Sequence, residues 1–298
     1  MFTGCGTALV TPFRPDLSLD EATLHKLVRR QIEAGINFLV PCGTTGESPT
    51  LTRAEHLRVV EITLEEAKGK VPVLAGAGGY NTSEVIELAR ELEHMGVDGI
   101  LSVTPYYNKP TQEGLYQHYH AIASAVGLAI IVYSVQGRTG VNVEPATLAR
   151  LAQIENIVGV KEASGNIGQI ANVIHETPSS FSVLSGDDAL TIPLMALGGR
   201  GVISVVSNQI PREMTHLAQA CLKNDFETAR HLQAQYLALM NVNFIEANPI
   251  PVKAAMGLMR LLEPVYRLPM CPPTAASLTR IEKVLESAGL LGRVRVAG

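Results

Sequence analysis

One local pattern recurs along most of the chain: a short, continuously apolar run rich in β-branched residues, a loop rich in Gly, Pro, Ser and Thr, and an amphipathic stretch. The runs are Cys5–Val10, Ile36–Pro41, Val71–Gly76, Gly99–Thr104, Ala129–Ser134, Ile157–Lys161, Phe181–Ser185 and Val202–Val206. A strand that is apolar at nearly every position has no face to turn to water, so it belongs in a parallel sheet covered on both sides. Between the runs, Leu24, Leu27, Val28, Gln31 and Ile32 recur with helical period, as do Val85, Leu88, Ala89 and Leu92. Asp20 and Thr52 stand at helix N-cap positions, with acidic residues close behind. About eight such units in about 220 residues predict an α/β fold, a closed (β/α)8 TIM barrel; an open doubly wound sheet is the alternative. After Val206 only helical signals remain, near Arg212–Asn224, Phe226–Phe244, Pro251–Leu262 and Ala275–Ser287. The expected organisation is a barrel over 1–224 with additional C-terminal helices over 225–298.

Composition narrows the class. With 46% apolar and 17% charged residues, the 298-residue chain has a globular profile. A net charge of −4, 5% aromatics and no tryptophan argue against a nucleic-acid surface. The apolar stretch Leu128–Val135 is far shorter than a membrane span, and no positively charged start to a secretory signal precedes Arg14. Cys5, Cys42, Cys221 and Cys271 lie far apart, so a reducing cytoplasm is expected rather than a disulfide or zinc framework. The Gly76–Asn81 cluster lacks the third glycine of a dinucleotide fingerprint, there is no Walker loop, and Gly46–Thr50 lacks the closing glycine of a nucleophile elbow. None of the eight histidines ends a strand, and His118 and His120 diverge on one helix, so neither a metal nor an organic cofactor is expected.

A barrel of this type carries its chemistry at the C-terminal ends of its strands. Of eight lysines, Lys161 alone ends an apolar run, after Ile157-Val158-Gly159-Val160. At an apolar barrel mouth, lost hydration favours a neutral amine, which attacks ketones and aldehydes to form a Schiff base. Otherwise the side chain snorkels to solvent or pairs with Glu162. Tyr133 ends the neighbouring run and offers a hydroxyl for proton transfer, or is a packed ring. Thr44 and Thr45, between two glycines, offer hydroxyls and N–H groups to a carboxylate, or form an ordinary turn. Arg138, on the loop Gly137–Thr139, clamps a second carboxylate or is simply solvated. The residues alone point to a Schiff-base lyase acting on a small oxo acid.

The same residues carry a resemblance. Gly4–Pro12, Gly43–Ser48, Pro105–Asn108, Gly137–Thr139, Gly159–Ser164, Gly186–Asp188, Gly198–Val205, Asn248–Lys253 and Arg267–Met270 resemble the dihydrodipicolinate (4-hydroxy-tetrahydrodipicolinate) synthase family, within the wider pyruvate-dependent Schiff-base lyases. The resemblance covers essentially the whole chain and implies condensation of pyruvate with aspartate semialdehyde by a homotetramer, a dimer of dimers, on the diaminopimelate route to lysine. It implies that Lys161 forms the Schiff base and that Thr44, Tyr133 and Tyr107 relay protons, Tyr107 coming from the neighbouring subunit. Thr45 would bind the pyruvate carboxylate, Arg138 that of the semialdehyde, and the carbonyl of Ile203 would help position the lysine. Ser48, His56, Tyr80, Glu84 and Tyr106 stand at positions that bind feedback lysine in some members, where Tyr80 replaces an asparagine. Ser134-Val135-Gln136 replaces the family's Asn-Val-Pro, which predicts a looser segment carrying Arg138. A sugar-acid or hydroxy-oxoglutarate aldolase, and a non-catalytic barrel binding an oxo acid, are the alternatives.

Overall fold

The structure, a computed structural model, describes residues 2–291. Eight strands are present among them: β1 (Gly4–Ala8), β2 (Phe38–Val40), β3 (Leu74–Gly76), β4 (Gly99–Val103), β5 (Ala129–Ser134), β6 (Ile157–Glu162), β7 (Ser182–Ser185) and β8 (Gly201–Ser204). All pair in parallel, in the order β2-β1-β8-β7-β6-β5-β4-β3. The two ends of that order meet: Leu39 bridges Val73, and the Gly76 N–H donates to the Pro41 carbonyl at 2.9 Å. At this seam a Cβ on Gly76 would lie 2.0 Å from the Cys42 carbonyl oxygen, so only glycine lets the two backbones approach. The sheet is therefore the expected barrel, and the open-sheet alternative is excluded.

The helices are α1 (Glu21–Glu33), α2 (Arg53–Ala67), α3 (Thr82–Met95), α4 (Gln112–Ala125), α5 (Gln136–Thr139), α6 (Pro145–Leu151), α7 (Ile167–Glu176), α8 (Thr191–Ala196), α9 (Pro211–Leu222), α10 (Phe226–Val242), α11 (Ile250–Leu258) and α12 (Ala275–Ser287). Asp20 caps α1 by accepting from the Thr23 N–H, and Thr52 with Glu55 forms a full capping box on α2. Each satisfies amides that the first helical turn leaves unpaired. No helix among the described residues is long and apolar enough to cross a membrane.

The apolar side chains divide by the two faces of the sheet. Phe38, Val40, Leu74, Leu101, Ile131, Leu184 and Ile203 fill the barrel interior. Leu39, Ala75, Ile100, Ile130, Val132, Val160 and Val202 pack between strands and helices. The C-terminal helices join the same structure. Val252 and Met256 of α11 pack with Val10, Leu27 and Val205 beside β1 and β8. Lys253 of α11 reaches down to Glu47, with Nζ–Oε1 at 2.7 Å and both side chains buried, and also donates to the Thr11 carbonyl at 3.1 Å. Such a pair offsets its own desolvation only with good geometry, and removing one partner leaves an uncompensated charge.

Candidate active site

Strand alternation places Tyr133 and Lys161 side by side on the inner face of the barrel. On β5, Ile130 and Val132 face the helices while Ile131 and Tyr133 face inward. On β6, Val160 packs outward, so Lys161 takes the opposite face. The two are direct partners in the β5–β6 register. Lys161 is 4% exposed, and its Nζ lies 4.2 Å from the centre of the Tyr133 ring. A Cβ on Gly186 would lie 3.2 Å from Lys161 Cε, so the glycine keeps space for the lysine stem. Among the described residues no carboxylate pairs with Lys161, whereas the other buried lysine, Lys253, is paired. Glu162 is not a partner: it accepts from Gln169 Nε2 at 2.9 Å, and burial pushes its carboxyl up from the ordinary range.

A cavity of about 360 Å³ is lined by Tyr133 of this pair, whereas Lys161, buried behind the ring, is not among its lining residues. Thr44, Tyr133, Val103, Val135, Arg138 and Thr139 line it, together with Ser48, His56 and Tyr106. Thr45 is not among the lining residues and is buried; its hydroxyl accepts from Asn248 Nδ2 at 2.9 Å. Ile203 is fully buried on β8, and among the described residues its carbonyl makes no hydrogen bond to Lys161. Beneath the end of β8, buried Asp188 accepts from the N–H groups of Val205 and Val206 at 3.1 and 2.9 Å. Burial, the largest influence, pushes its carboxyl up to about 6.

Arg138 does not sit on an open loop, as the sequence led us to expect, but in the one-turn helix α5. The N–H of Gly140 donates to the Gln136 carbonyl at 2.9 Å, and Gly140 ends the turn at φ 71°. Ser134 Oγ accepts from the Val143 N–H at 3.2 Å, so the serine ties down the segment that the missing asparagine was expected to leave loose. The guanidinium donates to the Asn248 carbonyl at 3.1 Å.

Tyr107 does not join its own site. Its backbone is left-handed (φ 72°) and its ring is 92% exposed, while Tyr106 lines the cavity. Of the candidate regulatory residues, Ser48, His56 and Tyr106 share the cavity wall; Tyr80 and Glu84 lie outside it. His56 Nε2 is bonded to the Gly76 carbonyl at 2.9 Å, and desolvation lowers the imidazole to about 4. Tyr80 is half exposed and meets the Tyr106 ring edge-on, with centroids 5.2 Å apart. Glu84 accepts from Asn81 Nδ2 at 2.8 Å. Asn248 and Asp188 received no role from the sequence; both lie inside recognised motifs, but nothing local marks their distant partners.

The Dihydrodipicolinate synthetase family matches residues 1–288. The 4-hydroxy-tetrahydrodipicolinate synthase of Koribacter versatilis is 54% identical over 295 residues, covering 99% of this chain and 98% of its own. The crystal structure of Thermotoga maritima dihydrodipicolinate synthase superposes with a TM-score of 0.96 at 47% identity, covering 98% of this chain and 100% of that one. That of the chloride-inhibited Acinetobacter baumannii enzyme complexed with pyruvate also gives 0.96, at 42% identity over 98% of this chain and 100% of its own. The fold, the strand-end lysine and these full-length matches agree: this chain belongs to the dihydrodipicolinate synthetase family.

Proposed function

We propose that the chain is a 4-hydroxy-tetrahydrodipicolinate synthase, condensing pyruvate with L-aspartate 4-semialdehyde in the diaminopimelate route to lysine. The observation that carries this reading is the buried Lys161, without a carboxylate partner among the described residues, directly beside Tyr133 at the mouth of the barrel. The amine of Lys161 attacks C2 of pyruvate, and the carbinolamine loses water to an imine. The cationic imine acidifies the methyl group, which gives up a proton to leave an enamine. The enamine carbon adds to the aldehyde carbonyl of the semialdehyde. The amino group of the adduct then attacks C2, closes the ring and expels Lys161. Tyr133, Thr44 and a Tyr107 from the neighbouring subunit relay protons, and the Ile203 carbonyl, not bonded to Lys161 in the free chain, engages the lysine once substrate is bound. Thr45 holds the pyruvate carboxylate, and Arg138 that of the semialdehyde. The proposed assembly is a homotetramer working in the cytoplasm; the four free cysteines accord with a reducing compartment. Arg138 favours an aldehyde bearing a carboxylate over the sugar-acid aldolase alternative.

Incubation with pyruvate and borohydride is expected to add one reduced pyruvate per chain at Lys161, located by peptide mass analysis. An unmodified Lys161 under saturating pyruvate refutes the mechanism. For the regulatory cleft we propose weak or absent inhibition by lysine. The His56 ring and the Glu84 carboxylate already have protein partners, and Tyr80 lacks the paired amide donor and acceptor of asparagine. Lysine titrated into a coupled assay checks this: strong inhibition below millimolar concentration contradicts it.

A further inference from the structure

Thr45 and Arg138, to which the proposed reaction gives the two substrate carboxylates, follow different strands, β2 and β5, and do not bond to each other. Both bond to Asn248. Its side-chain Nδ2 donates to Thr45 Oγ1 at 2.9 Å, and its main-chain carbonyl accepts from the Arg138 guanidinium at 3.1 Å. Asn248 is 5% exposed and stands just before α11. That helix is itself anchored on the loop after β2, because Lys253 grips Glu47, two residues beyond Thr45.

The chemistry of the Thr45 bond gives it direction. A hydroxyl carries one proton and two acceptor lone pairs. With Nδ2–H filling a lone pair, and no other bond to the Thr45 hydroxyl among the described residues, its proton remains available for donation. A donor held in that state suits a carboxylate. The Asn248 Oδ1 is buried without a partner among the described residues, which costs stability. The amide is thus poorly explained as a stabilising contact and well explained as a device for orienting Thr45.

We infer that Asn248 is a positioning residue for both substrates: its amide fixes Thr45 as a donor toward the pyruvate carboxylate, and its carbonyl aims Arg138 at the second carboxylate. This inference rests on the roles proposed above for Thr45 and Arg138. Asn248→Asp keeps the shape of the side chain, but its ionised form accepts the Thr45 proton and sets a negative charge near the substrate. The pyruvate KM is expected to rise about tenfold or more. The semialdehyde KM is expected to change less than about threefold, because the main-chain carbonyl that holds Arg138 remains. Below its pKa the new carboxyl can donate its O–H to Thr45, so the pyruvate KM of this variant returns toward the unsubstituted value as pH falls. A purely structural role moves neither the KM split nor this pH profile. Asn248→Ala and Thr45→Val complete a cycle in which the double variant is expected to be no worse for pyruvate than Thr45→Val alone. A normal pyruvate KM in Thr45→Val overturns the proposed carboxylate site and the inference with it. A raised KM in Thr45→Val with a normal KM in Asn248→Asp, or losses that multiply in the double variant, overturns the inference and leaves the site intact. Should Asn248→Ala fail to fold, Asn248→Asp carries the decision.

Discussion

Two lysines are buried in this chain, and the protein treats them in opposite ways. Lys253 is matched by a carboxylate and a carbonyl, as an ammonium away from water requires. Lys161 is given a tyrosine ring and no carboxylate among the described residues. Stability favours the first arrangement; a reactive amine favours the second. Tyr133→Phe keeps the ring over Lys161 and removes only the hydroxyl. Turnover is expected to fall by roughly 10²–10⁴-fold with little change in melting temperature, since one positioned acid–base group is worth about that much. Arg138→Ala is expected to raise the KM for the semialdehyde far more than that for pyruvate; equal effects on both argue against a dedicated clamp. Lys161 and Tyr133 were legible in the sequence because strand-end position is a local property. Asn248 was not: its partners Thr45 and Arg138 lie 203 and 110 residues away, and no spacing rule reaches across such distances.

At the scale of elements, the apolar runs located every strand and misjudged most of their lengths. Val71–Gly76 yields only Leu74–Gly76, because β3 meets β2 through a single bridge and the ladder there is short. Ala129–Ser134, flanked by two full partners, is strand from end to end. Run length reports burial, whereas strand length is set by the neighbour's register. The one-turn helix α5 left no trace in the pattern, since four residues are too few for a helical period. It does alter what the missing proline means. Gln136 occupies the first helical position, where proline fits because that N–H has no intrahelical partner. Gln136→Pro is therefore expected to stabilise the protein by about 0.4–1 kcal/mol through the unfolded chain. Activity on aspartate semialdehyde should be unchanged or improved. Thermal melting and a steady-state assay check both; abolished activity would mean that the native turn serves a different geometry and a different aldehyde.

Across the whole molecule, the barrel mouth is built from both ends of the chain. The loop after β2 carries Thr44, Thr45 and Glu47, and the segment entering α11 brings Asn248 and Lys253 back over it. One tyrosine does not fit this closed picture. Tyr107 holds a left-handed backbone, costly for a residue with a Cβ, only to display a ring that is 92% exposed. A ring folded over its own barrel mouth would be covered. A ring completing the site of a second copy would be exposed in the single chain, as observed, and would be buried on assembly. Mixing two inactive variants distinguishes these cases. A Tyr107→Phe chain keeps its lysine, and a Lys161→Ala chain keeps its tyrosine. If Tyr107 acts in its own chain, no chain in the mixture holds both groups, and activity stays absent. If it acts in the partner's site, each mixed dimer regains one complete site. Random pairing then restores roughly a quarter of the unsubstituted activity, since half the dimers are mixed and one site in each is complete. Sedimentation and activity followed across dilution complete the test: loss of activity as the assembly dissociates is expected, and a fully active monomer would remove Tyr107 from the relay.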